Sequence, residues 1–374
     1  MKIIVRALAG LVLLLVAALG WLKLQHGGGV PYAGVATTTP SPAPAVETVV
    51  SMDLPPGNVA VSADGRIFVN VHPFAQAARF GAPTLLELVD GRLQPYPSPA
   101  AQAGFQGVFG MTVDRRQRLW LIEPAGLDHE RTRLSAYDLA GNARVFEHVF
   151  EPGVLRFAQD LRVTPDGSHV VLADTGLFKF TKPALAVFDL ASRRLVTRLA
   201  EHPSTAPQDL VTRTPFGPHR LAYGLVSFVV GVDGIEISPD GRWVYYAAMN
   251  HARLHRVPFA ALADAGVAEA QLAAQVEDLG PKPLSDGITL DAQGRVILTD
   301  IENGGLVRRE ADGRLVALVK DPKVIWADGV VAAPDGSLLF TDSAIPAYID
   351  PLARPPEAER LAAGRPYRLL RVRP

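Results

Sequence analysis

A strand–turn–strand pattern recurs six times along the chain and restricts the possible folds more than any other feature. Each copy contains a polar or glycine residue, a short apolar strand, a turn and a second apolar strand. Successive turns are 52, 50, 74, 53 and 42 residues apart, by subtraction of their positions. The turns lie at Gly65, Gln117, Gly167, Gly241, Gly294 and Gly336.

A period of roughly 40–50 residues with about four short strands per unit is typical of β-propeller blades. We therefore predict an all-β fold, a six-bladed β-propeller with four-stranded blades. Spare strands remain at both ends, in "AVETVVSMDL" from Ala45 and "PYRLLRVRP" from Pro366. We expect the N-terminal strand to complete the last blade. The longest step holds an insertion, at about 201–227.

Composition excludes several classes of function. The chain has no cysteine, which excludes disulfides, thiol catalysis and zinc–thiolate sites. Its formal net charge of -1 argues against a nucleic-acid partner. It has no phosphate-binding loop, no Gly-x-Ser-x-Gly elbow and no His-Glu-x-x-His motif. We predict no nucleotide or thiol-bound cofactor.

The N-terminus resembles an export signal. Lys2 and Arg6 precede an apolar run from Ala7 to Leu22, and no small-residue cleavage site follows closely. We predict a membrane anchor or signal peptide over 1–24, a Pro/Thr-rich spacer over 25–44 and the propeller over 45–374. The sequence favours an uncleaved anchor and an exported, periplasmic or extracellular ring. The membrane would be contacted through this segment only.

Equivalent residues of the repeats should meet at one mouth of the central channel. In a propeller the innermost strand of every blade begins at the same face, so the residues before these strands form a ring. Four of them are carboxylates, which repel one another unless they bind protons, backbone N–H groups or a cation. Oxygen-only donors favour calcium among divalent cations. The alternative is that each Asp only shapes its own loop. The ring comprises Asn58, Gly110 or a near neighbour, Asp160, Asp233, Asp286 and Asp328.

Further residues are candidates for binding a small-molecule ligand at this mouth. His72, Asn250 and His251 follow second strands, which return to the same face, and either histidine could act as a base. Trp326 could stack on an aromatic ligand. The alternatives are loop histidines without a role and a tryptophan packed between blades. His202 and His219 lie in the insertion, which could form a lid.

Several stretches resemble the bacterial branch of the major royal jelly/Yellow protein family, over about 50–372. This resemblance implies an exported six-bladed propeller that binds or converts a small molecule, for example as a dopachrome-type tautomerase. The stretches are "GNVAVSADGRIFVNV", "DLRVTPDG", "PALAVFDLASRRLV" followed by "EHPST", "VDGIEISPDGRWVYYAAMN" and "SDGITLDAQGRVILTDIENGGLVR".

The chain is more distantly similar to the gluconolactonase/senescence-marker group of calcium-dependent lactone hydrolases. The metal motifs of that group fall on Asp233, on Asp286 as ligand and base, and on Gln159 in place of an asparagine. The glutamate of its first blade falls on Pro56, so this ligand is missing, and Asp328 could supply a replacement charge. This resemblance implies a metal-assisted lactonase or esterase.

Three functions therefore stay open. The first is a Yellow-type propeller that binds or converts a small molecule. The second is a lactone or ester hydrolase in which a cation polarises the carbonyl and Asp286 activates water. The third is a scaffold for protein interactions.

Overall fold

The computed structural model describes residues 2–75 and 83–373. Six four-stranded antiparallel sheets form a ring around one axis, which confirms the predicted six-bladed β-propeller. Neighbouring blades contact one another through their innermost strands, from the first blade to the sixth and back to the first. Each blade therefore covers the apolar faces of its neighbours.

The strands of the six blades, from the innermost to the outermost, have the following bounds. Blades 1 to 3 comprise Pro56–Val61, Ile67–Val71, Leu85–Val89 and Arg92–Pro95; Met111–Val113, Arg118–Glu123, Arg133–Asp138 and Ala143–Val149; Ala158–Val163, His169–Asp174, Ala184–Asp189 and Leu195–Arg198. Blades 4 to 6 comprise Val232–Ile237, Trp243–Ala248, Arg253–Pro258 and Glu277–Pro281; Ile288–Leu290, Val296–Asp300, Gly305–Arg309 and Leu315–Lys320; Ala327–Ala332, Leu338–Asp342, Tyr367–Val372 and Val46–Met52.

The ring closes through strand pairing between the two ends of the chain. Val46–Met52 pairs antiparallel with Tyr367–Val372, so that Val46 lies opposite Val372 and Met52 opposite Tyr367. This confirms that an N-terminal strand completes the last blade. The closure covers an edge that would otherwise expose unpaired backbone groups.

The turns between first and second strands lie on the face opposite the mouth. In the Pro-Asp-Gly turns the carboxylate accepts hydrogen bonds from nearby hydroxyl and backbone N–H groups, for example Asp240 from Ser238 Oγ at 2.6 Å. These bonds lower the pKa of Asp166 and of Asp240 to about 2. The turn carboxylates are therefore satisfied locally.

Short elements outside the blades lie mainly on the mouth face. The insertion forms two small hairpins, Arg213–Thr214 with Gly217–Pro218 and Arg220–Leu221 with Val226–Ser227. The remaining short helices are α-helices Phe259–Ala263, Glu269–Ala273 and Glu357–Gly364 and 3₁₀ helices Pro73–Ala75, Ala100–Gly104, Ala222–Gly224 and Ile345–Ala347.

The segment after the N-terminal helix lies along the ring. Val30–Pro31 pairs in parallel with Leu210–Val211 of the insertion. Tyr32 is buried, and its hydroxyl donates to the carbonyl oxygen of Lys282 at 2.6 Å. Thr38 bridges to Val316 in the outermost strand of blade 5. Where the sequence suggested a spacer, these residues are held by hydrogen bonds; the domain boundaries themselves stay a proposal.

The N-terminal helix, Lys2–His26, contains the one candidate membrane span of the described residues, Ile4–His26. This span has 23 residues, and its apolar 18-residue window has a mean hydropathy of 2.3 and no buried residue. At about 1.5 Å per residue it is long enough to cross the roughly 30 Å hydrocarbon core of a bilayer. A signal sequence has the same length and composition, so both the anchor and the cleaved signal stay proposals.

The closing strand should stabilise the ring strongly. We expect a chain lacking residues 1–54 to melt roughly 10 °C or more below a chain lacking residues 1–26, because the longer deletion removes the closing strand and Tyr32. Thermal unfolding followed by circular dichroism measures this difference. Equal melting temperatures would contradict a stabilising role for the closure.

Candidate functional site

A cavity of about 340 Å³ opens at the mouth of the central channel. Polar side chains of the ring of first strands form its floor, and mostly apolar side chains form its walls. The floor residues are Asn58, Gln159, Asp160, Asp233, Asp286 and Asp328. The aromatic wall residues are Phe74, Phe109, Phe157, Phe178 and Phe228. A largely apolar cavity with a few convergent polar groups is the usual form of a small-molecule site.

The structure brings the four predicted mouth carboxylates together in this cavity, although they are far apart in sequence. Asp160, Asp233 and Asp286 are 5%, 4% and 8% exposed, and Asp328 is half-buried. The charges of Asp286, Asp160 and Asp328 all act on Asp233. The site is therefore a ring of mutually repelling carboxylates.

Bulges in the innermost strands aim these side chains. The pairing register with the second strand shifts between Ala158 and Asp160, between Val232 and Ile235, and between Ala327 and Val330. Asp286 precedes its strand, Ile288–Leu290, as the sequence predicted, whereas Asp160, Asp233 and Asp328 lie within their strands. A bulge frees residues from the ladder and redirects their side chains, here into the cavity.

Glycines allow the innermost strands to approach one another closely at the mouth. A Cβ atom at Gly234 would lie 2.6 Å from the carbonyl oxygen of Asp286. One at Gly287 would lie 2.5 Å from the carbonyl oxygen of Asp328. Each blade therefore sets its mouth residue directly against the backbone of the next blade.

The close approach gives a prediction for stability. Gly287→Ala should destabilise the ring by about 1–3 kcal/mol, because the added methyl group meets backbone rather than a movable side chain. Gly104→Ala is the control, since a Cβ there meets nothing within 4 Å. Urea unfolding measures both. If Gly287→Ala were as stable as Gly104→Ala, the packing at the mouth would be looser than described.

The four carboxylates differ in their hydrogen-bond partners. Asp160 accepts from Arg162 Nη1 at 2.7 Å and from the N–H of Leu161 at 2.8 Å. Asp286 Oδ2 accepts from Trp326 Nε1 at 2.7 Å.

Two carboxylate oxygens are left over. Oδ2 of Asp233 and Oδ2 of Asp328 are buried without a hydrogen-bond partner among the described residues. Ser343 lies beside Asp328, but its hydroxyl and the carboxylate do not have hydrogen-bond geometry. Buried oxygens without partners are costly unless they hold a proton or a cation.

Burial and mutual repulsion raise the pKa of these groups. Burial is the main cause of the rise for Asp286, to a pKa of about 7. Burial, followed by the charge of Asp286, raises the pKa of Asp233 and of Asp328 well above the ordinary value. Burial also raises the pKa of Asp160 despite the opposing charge of Arg162. Near neutral pH the cluster therefore favours binding protons or a cation.

Two basic residues that sequence reasoning missed flank the cluster. Arg162 lies in the channel below the floor, where it contacts Asp160, Glu236 at 3.2 Å and the carbonyl oxygen of Ile288 at 3.2 Å. Its position two residues after Asp160 in a strand was a readable signal that both side chains face the channel.

Lys282 is fully buried beside the site, and burial lowers its pKa to about 7. Its Nζ donates to the carbonyl oxygen of Pro283 at 3.0 Å and to Ser285 Oγ at 3.1 Å. No periodic pattern marks this position in the sequence.

The other predicted ligand-binding residues have varied positions. His72 lines the cavity. Trp326 is fully buried outside the cavity lining, and its Nε1 donates a hydrogen bond to Asp286. Asn250 does not line the cavity: it accepts from the N–H of Val230 and donates to the carbonyl oxygen of Leu210, both at 2.9 Å. His251 also lies outside the lining and packs edge-on against His255.

The insertion covers part of the cavity. Its Leu221, and Phe228 directly after it, contribute to the wall. His219 is buried, stacks on Phe228 with ring centroids 4.3 Å apart, and has a pKa lowered to about 3 by burial. His219 is therefore neutral at physiological pH. His202 bonds to Ser204 and is not among the residues that line the cavity.

The charge of the cluster predicts a pH dependence of stability. Asp286 has a pKa of about 7 in the folded chain against an ordinary value of 3.8, so the folded state binds more protons between these values. Its contribution to stability is present below about pH 4 and is lost as the pH rises through about 7. In chelator, we expect the free energy of unfolding to fall by up to a few kcal/mol over this range.

Asp286→Asn should flatten that slope, and urea titrations at several pH values measure it. Asp240→Asn is the control, because the pKa of Asp240 is lowered to about 2 and Asp240 stays ionised over the whole range. A slope unchanged by Asp286→Asn would show that the carboxyl does not titrate in this way.

Comparisons with known proteins find one matching family model and several solved structures with the same fold. Residues 225–344 match the family model described as the SMP-30/Gluconolactonase/LRE-like region. This match covers less than half of the chain but includes Asp233, Asp286 and Asp328. No curated protein matches the chain. The findings favour the more distant resemblance of the sequence over the major royal jelly/Yellow family, which they do not show.

Solved structures with the same fold include a gluconolactonase from Xanthomonas campestris, with a TM-score of 0.55 and 15% identity over 93% of this chain and 97% of that one. The calcium-binding protein regucalcin from Agrobacterium tumefaciens has a TM-score of 0.55 and 15% identity, over 90% of this chain and 95% of that one. A luciferin-regenerating enzyme has a TM-score of 0.56 and 12% identity, over 88% and 95%. At these identities the likeness shows the fold alone.

Proposed function

We propose that the chain is a cation-assisted hydrolase of lactones or related esters, with its small-molecule substrate in the mouth cavity. One observation carries the proposal: three carboxylates converge in the part of the chain that matches the gluconolactonase-like family model, and two of them, Asp233 and Asp328, keep a buried oxygen without a hydrogen-bond partner among the described residues. The third carboxylate is that of Asp286.

The donor atoms suit a hard divalent cation. Oδ2 of Asp233 and Oδ2 of Asp328 are buried and have no partner in the described part of the chain, and the described floor offers oxygen donors with excess negative charge. Calcium prefers six to eight such oxygens. We propose that Asp233, Asp286, Asp328 and Gln159 would hold the ion.

The present arrangement of these side chains differs from that of a metal site. No three His, Cys, Asp or Glu side chains in residues 2–75 and 83–373 are arranged as a metal site. Pro56 also offers no side-chain donor in blade 1. Calcium binding would therefore require these side chains to rearrange, and the buried oxygens of Asp233 and Asp328 would gain a partner when they do.

Asp286 is the proposed general base. Burial raises its pKa to about 7 in the metal-free chain, and the charge of a bound cation would lower that pKa again, so that Asp286 would be ionised and able to accept a proton at neutral pH. Trp326 Nε1 fixes one carboxylate oxygen and so orients the group. Arg162 lies in the channel below Asp160 and bonds to the carbonyl oxygen of Ile288 in another blade.

The proposed reaction is hydrolysis at the ester carbonyl. A bound divalent cation would polarise that carbonyl. Asp286 takes a proton from water, the water oxygen bonds to the carbonyl carbon, the bond from this carbon to the ring oxygen breaks, and the proton passes to the departing oxygen. Phe157 and Phe228 in the wall would exclude bulk water from the bound substrate.

Asp286→Asn tests this proposal. We expect calcium to bind the parent chain, measured by titration calorimetry, and we expect hydrolysis of a panel of small lactones. The substitution should weaken calcium binding and lower kcat by about 100-fold or more, since general base catalysis contributes at least that much. Asp240→Asn, on the opposite face, should change neither. A parent chain that binds no cation and opens no lactone would refute the proposal.

A second function is favoured by the aromatic wall. Phenylalanine rings beside uncompensated carboxylates suit an organic ammonium ion, which gains both ion pairing and cation–π attraction. In this case an aromatic amine should bind in the presence of chelator. Asp286→Asn and Phe228→Ala should each weaken that binding.

We also propose that the ring is exported. Lys2 and Arg6 before the apolar run favour a cytoplasmic N-terminus, which would put the ring on the opposite side of the membrane. Fractionation and N-terminal sequencing of the mature protein separate a retained anchor from a cleaved signal.

A further inference from the structure

Exposed apolar side chains are distributed unevenly over the ring. Outside the N-terminal helix, Leu127 is 67% exposed and Tyr223 is 75% exposed, and Phe180 and Leu352 are each 48% exposed. The other large exposed apolar residues of the described ring are Val30, Val46, Val145 and Val149. Val46, Val145 and Val149 belong to outermost strands.

The first four residues all lie on the mouth face. Leu127, Phe180 and Leu352 lie in connections between the second and third strands of blades 2, 3 and 6, and Tyr223 lies in the insertion. Leu127 also lines the rim of the cavity. The turns of the opposite face carry no large exposed apolar side chain among the described residues. Such a one-sided apolar surface marks an interaction site.

The N-terminal helix ends on this same face. The ring of His26 stacks on Phe180 with centroids 4.0 Å apart. Arg220 Nη1 donates to the carbonyl oxygen of Gly27 at 2.5 Å, and Ser227 Oγ donates to that of Gly28 at 2.6 Å. The chain therefore passes from an apolar helix of membrane-spanning length directly onto the mouth face, with no free linker.

We propose that the mouth face docks on the surface of a lipid bilayer, so that the cavity opens toward the membrane. The helix would cross the bilayer, and Leu127, Tyr223 and Leu352 would enter the interfacial layer. Aromatic and aliphatic side chains favour that layer. The bilayer is the occupant that the structure favours, because the apolar surface continues into a helix long enough to span it.

The proposed docking rests on apolar contacts and not on lipid charge. Two lysines of this face are already paired, Lys179 with Asp209 at 2.6 Å and Lys182 with Glu201 at 2.7 Å. Vesicles of phosphatidylcholine, which carry no net charge, should therefore be sufficient. This proposal does not rest on the proposed hydrolysis, and its test involves neither metal nor substrate.

The absence of cysteine makes the test direct. Leu127→Cys, Tyr223→Cys, Leu352→Cys and, as the control, Gln293→Cys each place one label on the full chain in phosphatidylcholine vesicles. Gln293 is exposed in a turn of the opposite face. With a polarity-sensitive fluorophore, we expect a blue shift and strong quenching by spin-labelled lipid at the three mouth positions, and neither at position 293.

Two results would overturn the proposal. The first is quenching that is equally weak at all four positions, which would mean that the ring does not contact the bilayer. The second result is a blue shift at the mouth positions in detergent without lipid that increases with protein concentration. It would mean that a second copy of the chain covers this face. Thermal melting of each labelled chain verifies folding, and all four sites are exposed, so these substitutions should be tolerated.

Discussion

The convergence of six innermost strands on one axis is the constraint on which the site depends. At the mouth these strands approach so closely that a Cβ at Gly287 would lie 2.5 Å from the backbone of the next blade. The residue before each such glycine is carried to the axis with its backbone. In blades 4 and 6 a bulge turns its side chain out of the ladder, and in blade 5 Asp286 precedes the paired strand. The crowding of Asp233, Asp286 and Asp328 is thus a consequence of blade geometry, and the three carboxylates line the cavity at the mouth.

Polar groups at the mouth fall into two kinds, which explains why the ring tolerates the crowding. Carboxylates at the ends of second strands accept hydrogen bonds from backbone N–H groups of nearby loops. Glu123 accepts from the N–H of Gln106 at 2.7 Å, and Asp342 accepts from the N–H of Trp326 at 3.0 Å. These bonds shape the mouth. Asp233 and Asp328 each keep an oxygen that bonds to nothing in the described chain. Because these loop carboxylates already accept hydrogen bonds, Asp233 and Asp328 are the groups to which a bound ligand would supply the missing partner.

The sequence predicted the architecture well because repetition and period-two alternation report directly on blades, and because residues equivalent in a repeat must be equivalent around the axis. For the same reason the sequence predicted that Asp160 and Asp286 lie close together at the mouth. It did not predict the bulges, since strand register depends on a partner strand. Nor did it predict the role of Asn250: this residue holds a position equivalent to other mouth residues, but Leu210 of the insertion and Val230 just after the insertion supply it with backbone partners. Lys282 was missed because only tertiary packing buries it.

The segment after the helix joins the N-terminal helix to the site. Tyr32 donates to the carbonyl oxygen of Lys282, whose Nζ reaches Ser285, the neighbour of Asp286. On the other side, Phe228 of the cavity wall packs against Trp326, which holds Asp286. The residues that fix the helix to the mouth face therefore belong to the same packing that orients the proposed base. It follows that the position of the ring relative to the helix and the shape of the cavity floor are not independent properties of this chain.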